Sequence, residues 1–121
     1  MADAIRALAR TDLPAAIPSC LLSWAGLDSD DSGAPADMID FPSMTVAVTG
    51  TFGSGGSVTL QGSLDGTNYF ALTDAQGNAI TKTAAGIEEV VEAPRYVRPS
   101  VTAGDGTTSL TVTILCRRVM R

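Results

Sequence analysis

Strict alternation is the feature that most constrains this chain. From Ser109 to Cys116, Leu110, Val112, Ile114 and Cys116 fall on one side of an extended backbone, while Thr111, Thr113 and Leu115 fall on the other. Successive strand side chains point to opposite faces, so the pattern specifies a strand with one buried face. Met44 to Thr49 repeats it, with Met44, Val46 and Val48 set against Thr45, Ala47 and Thr49. Between these runs, Val58 to Leu72 reads as a β-hairpin. Val58 and Leu60 open an alternating stretch, Asp65-Gly66 supplies a pair able to hold positive φ, and Tyr69, Phe70 and Leu72 resume an extended pattern. Val58, Leu60 and Leu64 are assigned to one face, and Tyr69 and Leu72 to closing the core.

The intervening residues are turn chemistry. Gly53-Ser54-Gly55-Gly56 predicts a turn that pairs the Met44 strand antiparallel with the Val58 strand. Asp74 to Asn78 and Ala103 to Thr107 are further turns, the second around Asp105-Gly106, and Ala79 to Ala84 is a Thr-rich strand. Ile87 to Glu92 reads as a strand rather than a helix, because Gly86 and Pro94 leave too little length for a stable helix. Arg95 to Thr102 is the next strand, and Pro99 inside it predicts an edge or a bulge. Roughly seven short strands with such turns predict an all-β fold, an antiparallel β-sandwich of jelly-roll-like type.

The amino-terminal third is less regular. Ile5, Leu8 and Ala9 stand at helical spacing and predict a helical turn, after which Pro14 and Pro18 break the backbone. Ala15 to Leu27 is apolar without a period, so it either adds a strand to the domain's own sheet or lies across a partner. Asp28 to Pro35 is an acidic linker. The expected division is an extended amino-terminal arm with its linker over 1–35 and a β-sandwich domain over 36–121.

Chemistry is constrained by what the chain lacks. There is no His, which removes the usual general base near neutral pH and the commonest metal ligand, so neither Ser-His-Asp nor Cys-His catalysis is available within one chain. Glu88 and Glu89 are adjacent, and strand neighbours on opposite faces cannot flank one substrate. The run Asp28-Ser29-Asp30-Asp31-Ser32-Gly33 lacks the closing Glu of an oxygen-rich calcium loop, and Gly53 to Gly56 lacks the Lys-Ser/Thr of a phosphate loop. No catalytic, metal or cofactor residue is expected, and the chain is not read as an enzyme. A net charge of -5 argues against direct nucleic-acid binding. No secretory signal and no membrane segment is read, so synthesis in a cytoplasm is expected. Cys20 and Cys116 each sit in an apolar run and are read as buried free thiols. Charged residues are only 17% of the chain and Lys82 is the single lysine, so the surface must be rich in Thr, Ser, Gly and Ala, which suits packing against other chains.

A set of motifs then carries a family resemblance. Asp40-Phe41-Pro42, Thr45 to Gly53, Val58 to Gly66, Leu72 to Asn78, Arg95 to Pro99 and Gly104 to Thr113 resemble the small virion proteins of tailed bacteriophages, of the capsid decoration or cement type, over about residues 36 to 118. The resemblance implies a virion protein on the outside of an assembled head. It would be a homo-oligomer, dimer or trimer, clamping major capsid protein subunits, with no catalytic residue. The alternative is a tail- or fibre-associated sandwich that binds a receptor or carbohydrate. Residues put forward for partner contact are Ile17, Leu21, Leu22 and Trp24 in the arm, together with Arg95, Arg98, Arg117 and Arg118.

Overall fold

The computed structural model describes residues 5–13, 19–39 and 41–118, and these form strands with no helix among them. In chain order the strands are β1 (Ile5–Arg6), β2 (Ala9–Asp12), β3 (Ser19–Leu27), β4 (Ser32–Gly33), β5 (Ala36–Asp37), β6 (Ser43–Thr51), β7 (Ser57–Ser63), β8 (Phe70–Ala71), β9 (Thr81–Lys82), β10 (Gly86–Val90), β11 (Tyr96–Ala103) and β12 (Ser109–Arg117). They build two sheets. One runs β10-β6-β12-β3-β2; the other runs β1-β4-β11-β7-β8, with β5 also on β11 and β9 also on β7. All pairings are antiparallel except β1 with β4. From β3 onward the chain passes repeatedly from one sheet to the other, which gives the jelly-roll-like sandwich expected from the alternation.

The inward sides of the two sheets make one core. Met44, Val46, Val48, Leu110, Val112, Ile114 and Cys116 face inward from β6 and β12, and Val58, Leu60, Val97 and Val101 meet them from β7 and β11. Two sheets at a spacing of about 10 Å are filled by such interdigitating rows. At the β9–β10 side, Lys82 Nζ lies 2.9 Å from Glu88 Oε2, both half-buried, so the lone lysine joins the two sheets. Glu88 and Glu89 face opposite ways on β10, as expected for strand neighbours, since Glu88 aligns with the inward Val46 and Glu89 with the outward Thr45.

Several expectations are corrected by the pairing. β6 and β7 do not pair; the turn between them carries the chain from the five-stranded sheet to the other, and β7 pairs β11 while β6 lies between β10 and β12. Residues 5 to 12 form β1 and β2 and no helical turn, because both have strand partners at hand in β4 and β3. Pro99 is not on an edge. It is buried in an inner strand, and it stands where the flanking ladder is interrupted between β5, opposite Val97, and β4, opposite Ser100.

The boundary drawn at residue 35 does not divide the structure. β3 is hydrogen-bonded to β12 on one side and β2 on the other, and Cys20, Leu22, Trp24 and Leu27 are core residues. Of the two readings of Ala15 to Leu27, the strand in the domain's own sheet is the one found for residues 19–27. Trp24 is fully buried, its Nε1 donating to the Ala34 carbonyl at 2.9 Å. Gly33 lies against its ring. A Cβ placed there would come 2.5 Å from Trp24 Cδ1 and 2.7 Å from Pro99 Cδ, with no flexible end to yield. Gly33→Ala is therefore expected to destabilise the fold by about 1–3 kcal/mol through overpacking, read as a lower urea midpoint at unchanged slope.

The linker is structured too. Asp31 is buried, and its carboxylate accepts from Arg6 Nε at 2.7 Å and from the Asp28 backbone N–H at 2.9 Å, while Arg6 Nη2 reaches Asp28 at 3.0 Å. The acidic run thus anchors β1 to the turn before β4, with Arg6 as the cation that compensates it.

Candidate functional site

The Asp-Gly turns are held by their carboxylates more than by backbone conformation. Gly66 takes φ +79°, but Asp65 does not adopt positive φ, and the connection from β7 to β8 spans Leu64 to Tyr69, longer than a two-residue turn. Asp65 Oδ1 accepts from the N–H groups of Thr67 and Asn68 and from Ser63 Oγ, and Oδ2 accepts from Asn68 Nδ2. Asp105 repeats the device across two loops. It accepts from the Ser54 N–H at 2.8 Å and from Thr107 N–H and Oγ1, while Thr108 Oγ1 donates to the Phe52 carbonyl. Hydrogen bonds to the charged form lower a carboxyl pKa. Those from Asn68 and Thr67 hold Asp65 far below the ordinary value, and those from Thr107 and Ser54 lower Asp105 to about 2. A carboxylate depressed in the folded state adds stability that is complete above its unfolded value near ~4 and disappears as pH falls through the folded value. The carbon-detected titration of Asp105 is accordingly expected to have its midpoint near 2, and Asp105→Ala to flatten the acid limb of the stability profile between pH 4 and 2.

The hairpin borders a groove of about 610 Å³, lined among others by Leu64, Phe70, Leu72, Glu92 and Pro94. Leu64 is 77% exposed, unlike Val58 and Leu60 with which it was placed on one face, and Phe70 is 71% exposed. Phe70 aligns with Gly62, close to the end of β7, and Leu64 lies beyond that end, where the opposite sheet no longer covers them. Leu72 is buried as expected, and Tyr69 is half-buried beneath Arg98. Glu92 on the rim is occupied by Thr73, which donates through both N–H and Oγ1, and Asp65 by its own turn.

A broader surface is the outward face of the five-stranded sheet. Register brings Ile87, Ala47, Thr113, Ser23 and Ala9 into one row, and Glu89, Thr45, Leu115, Leu21 and Thr11 into the next. On the three inner strands β6, β12 and β3, this face carries Thr, Ser, Ala and Leu and no charge until Arg117 at the end of β12. Ile87 at its margin is 66% exposed. A sheet face of five strands about 4.8 Å apart and several rows deep offers on the order of 500–700 Å², near what one side of a stable protein interface uses.

The residues put forward for partner contact are dispersed by the fold. Leu21 lies on this outward face. Leu22 and Trp24 are 3% and 0% exposed within the chain's own core, so neither is available to a partner; the alternation of β3 turns them inward. Arg95 lies 3.6 Å from Asp37 and over the Tyr96 ring at 5.1 Å. Arg98 stacks on Tyr69 at 3.8 Å and donates to Gln61 Oε1 at 3.0 Å. Both therefore serve the outer side of the seven-stranded sheet. Arg117 and Arg118 are exposed at the end of β12, and Ile17 lies outside the described residues. Leu115, Thr113, Ala47 and Ile87 were not singled out, although the polar half of each alternating strand was already the signal that could have found the first three.

The two facing sheets and their crossings define a β-sandwich protein. Among solved structures, the fold is similar to the SPBc2 prophage-derived protein YomS, with a TM-score of 0.58 and 15% identity over 82% of this chain and 94% of that one. A cupin domain from Bordetella pertussis Tohama I gives a TM-score of 0.49 at 9% identity, covering 95% of this chain and 97% of that chain. PliG of Aeromonas hydrophila, a periplasmic inhibitor of g-type lysozyme, gives 0.42 at 14% identity, covering 96% and 98%. At 15% identity the likeness to YomS is one of fold alone. No family model and no curated protein matches the chain.

Proposed function

We propose that this protein is a structural component of a tailed-bacteriophage virion, made in the host cytoplasm, that binds the outside of the assembled head as a homo-oligomer and bridges neighbouring major capsid protein subunits. The observation that carries this reading is the outward face of the five-stranded sheet, near the size one side of a protein interface uses, uncharged on β6, β12 and β3 up to Arg117 and set on strands that are fixed from behind by the core. The motif resemblance to decoration proteins and the fold shared with a prophage-derived protein support it. A flat face of Thr, Ala and Leu loses little solvation on docking, and many weak contacts repeated over a shell act together once the shell is assembled. The role asks for no catalytic residue.

The test is co-sedimentation with purified heads of the encoding phage that lack the protein, followed by heating. Saturable binding with an upward shift in the temperature of genome release is expected. Heads equally stable with and without it, and no bound protein, would overturn the proposal.

The groove beside Phe70 favours a second reading, a tail- or fibre-associated module that binds a receptor or carbohydrate, because an exposed aromatic ring beside a concave surface suits the apolar face of a sugar. Against it, the rim carboxylates Asp65 and Glu92 are already hydrogen-bonded within the chain. Glycan-array binding that Phe70→Ala abolishes would favour this second role over the first.

A further inference from the structure

Cys20 and Cys116 lie far apart in sequence, but β3 and β12 bring them directly opposite each other, both on the inward face and both 0% exposed. They are free thiols. We propose that the pair is a thiol–disulfide modification site: a small-molecule disulfide such as oxidised glutathione converts it to an intrachain cross-strand disulfide that staples β3 to β12. The inference is independent of any role in a virion.

Directly opposed residues of an antiparallel pair have Cα atoms about 4.5–5.5 Å apart, inside the roughly 4.4–6.8 Å range over which disulfides close, so no strand has to shift. Placement near a strand end gives access. Among the described residues, one pair of the β3–β12 ladder lies beyond the cysteines, Ser19 with Arg117, and on the other side Cys20 faces Asp12, the last residue of β2. Fraying of these ends exposes the thiols without opening the core around Trp24. In the closed fold, burial and the neighbouring thiol of Cys20 raise the Cys116 pKa, and Arg10 pulls the other way, so the reaction proceeds from the frayed state and the dithiol persists until an oxidant is supplied.

The chemistry balances as two exchanges. One cysteine loses its proton and attacks the oxidant's disulfide, forming a mixed disulfide and releasing one glutathione thiolate. The second cysteine then loses its proton and attacks the protein sulfur of that mixed disulfide; the protein S–S bond forms and the second glutathione leaves. The two leaving thiolates take up the two protons, and two electrons pass from protein to reagent.

The experiment uses the full chain, reduced and then held with oxidised glutathione at pH 8 and about 10 °C below its thermal midpoint. Denaturing alkylation and intact mass are expected to show loss of both thiols, a mass lower by two hydrogens and a monomeric Cys20–Cys116 linkage. The thermal midpoint should rise by about 10 °C, reversibly with dithiothreitol, as for a bridge that closes a long loop. Because oxidised and reduced wild-type protein are compared, the reading does not depend on a variant folding; Cys116→Ser serves as the control that cannot close. Thiols that stay fully alkylatable, a persistent mixed disulfide with glutathione, a bridge between chains, or a lower midpoint after closure would each overturn the proposal.

Discussion

Deletion of residues 1–27 is expected to leave a chain with no cooperative unfolding transition. The deletion removes β1, β2 and β3, so β12, an inner strand, becomes an edge with a row of unpaired backbone groups. It also removes Cys20, Leu22, Trp24 and Leu27 from the core, each 3% exposed or less. Burial of side chains of this size contributes about 1.5–3 kcal/mol apiece, and the sum reaches the roughly 5–15 kcal/mol that separates a domain of this kind from its unfolded state. Trp24→Ala alone should cost about 3–5 kcal/mol, because the cavity is walled by Gly33 and Pro99 and the Ala34 carbonyl loses its donor. Urea unfolding followed by far-ultraviolet circular dichroism checks both. A truncated chain that still unfolds cooperatively would restore the amino-terminal segment to the status of a separable arm.

Leu115→Glu is expected to weaken binding to phage heads by about 100-fold or more while changing stability by less than about 1 kcal/mol. Leu115 sits on an inner strand, directly opposite Leu21 on one side and Thr45 on the other, and points away from the core. A glutamate there remains solvated in the free protein. In a docked complex it is taken from water with Leu21 and Thr45 directly opposite it and its nearest cation, Arg117, two residues along the strand, and such a charge costs several kcal/mol, each 1.4 kcal/mol being a factor of ten. Thr113→Lys on the same face should act in the same direction, since the penalty comes from desolvation and not from the sign of the charge. Sedimentation with heads measures the loss and thermal unfolding controls for the fold. Unchanged affinity in both variants would remove this face from the interface.

Legibility in the sequence followed the physics of strands. Alternation specifies which side of each strand is buried, and for Met44, Val46, Val48, Leu110, Val112 and Ile114 the buried set was read correctly. It does not specify neighbours. β6 and β7 are joined by a short Gly-rich turn that serves a hairpin and a sheet-to-sheet crossing equally well, and only the non-local partners β10, β11 and β12 decide between them. Leu64 and Phe70 obey the alternation but lie at the limit of the facing sheet, a boundary set by tertiary packing. Cys20, Leu22, Trp24 and Leu27 carried an alternation over most of β3 that its flanking prolines and the acidic run obscured. The arginines could be seen, but whether Arg98 serves a partner or a Tyr69 ring depends on a loop residue brought beside it from a distant part of the sequence. The outward Thr and Ala residues were visible as the other half of the same pattern; what the sequence alone could not show is that three such strands lie side by side.

The most direct measurement is a reconstruction of phage heads saturated with this protein, at a resolution that orients a β-sandwich. Density is expected on the outer surface across neighbouring capsid subunits, with the outward face of β6, β12 and β3 against a protein surface and the Phe70 groove away from it. Absence of such density, or heads contacted by the Phe70 end with the five-stranded sheet facing solvent, would contradict the proposed role.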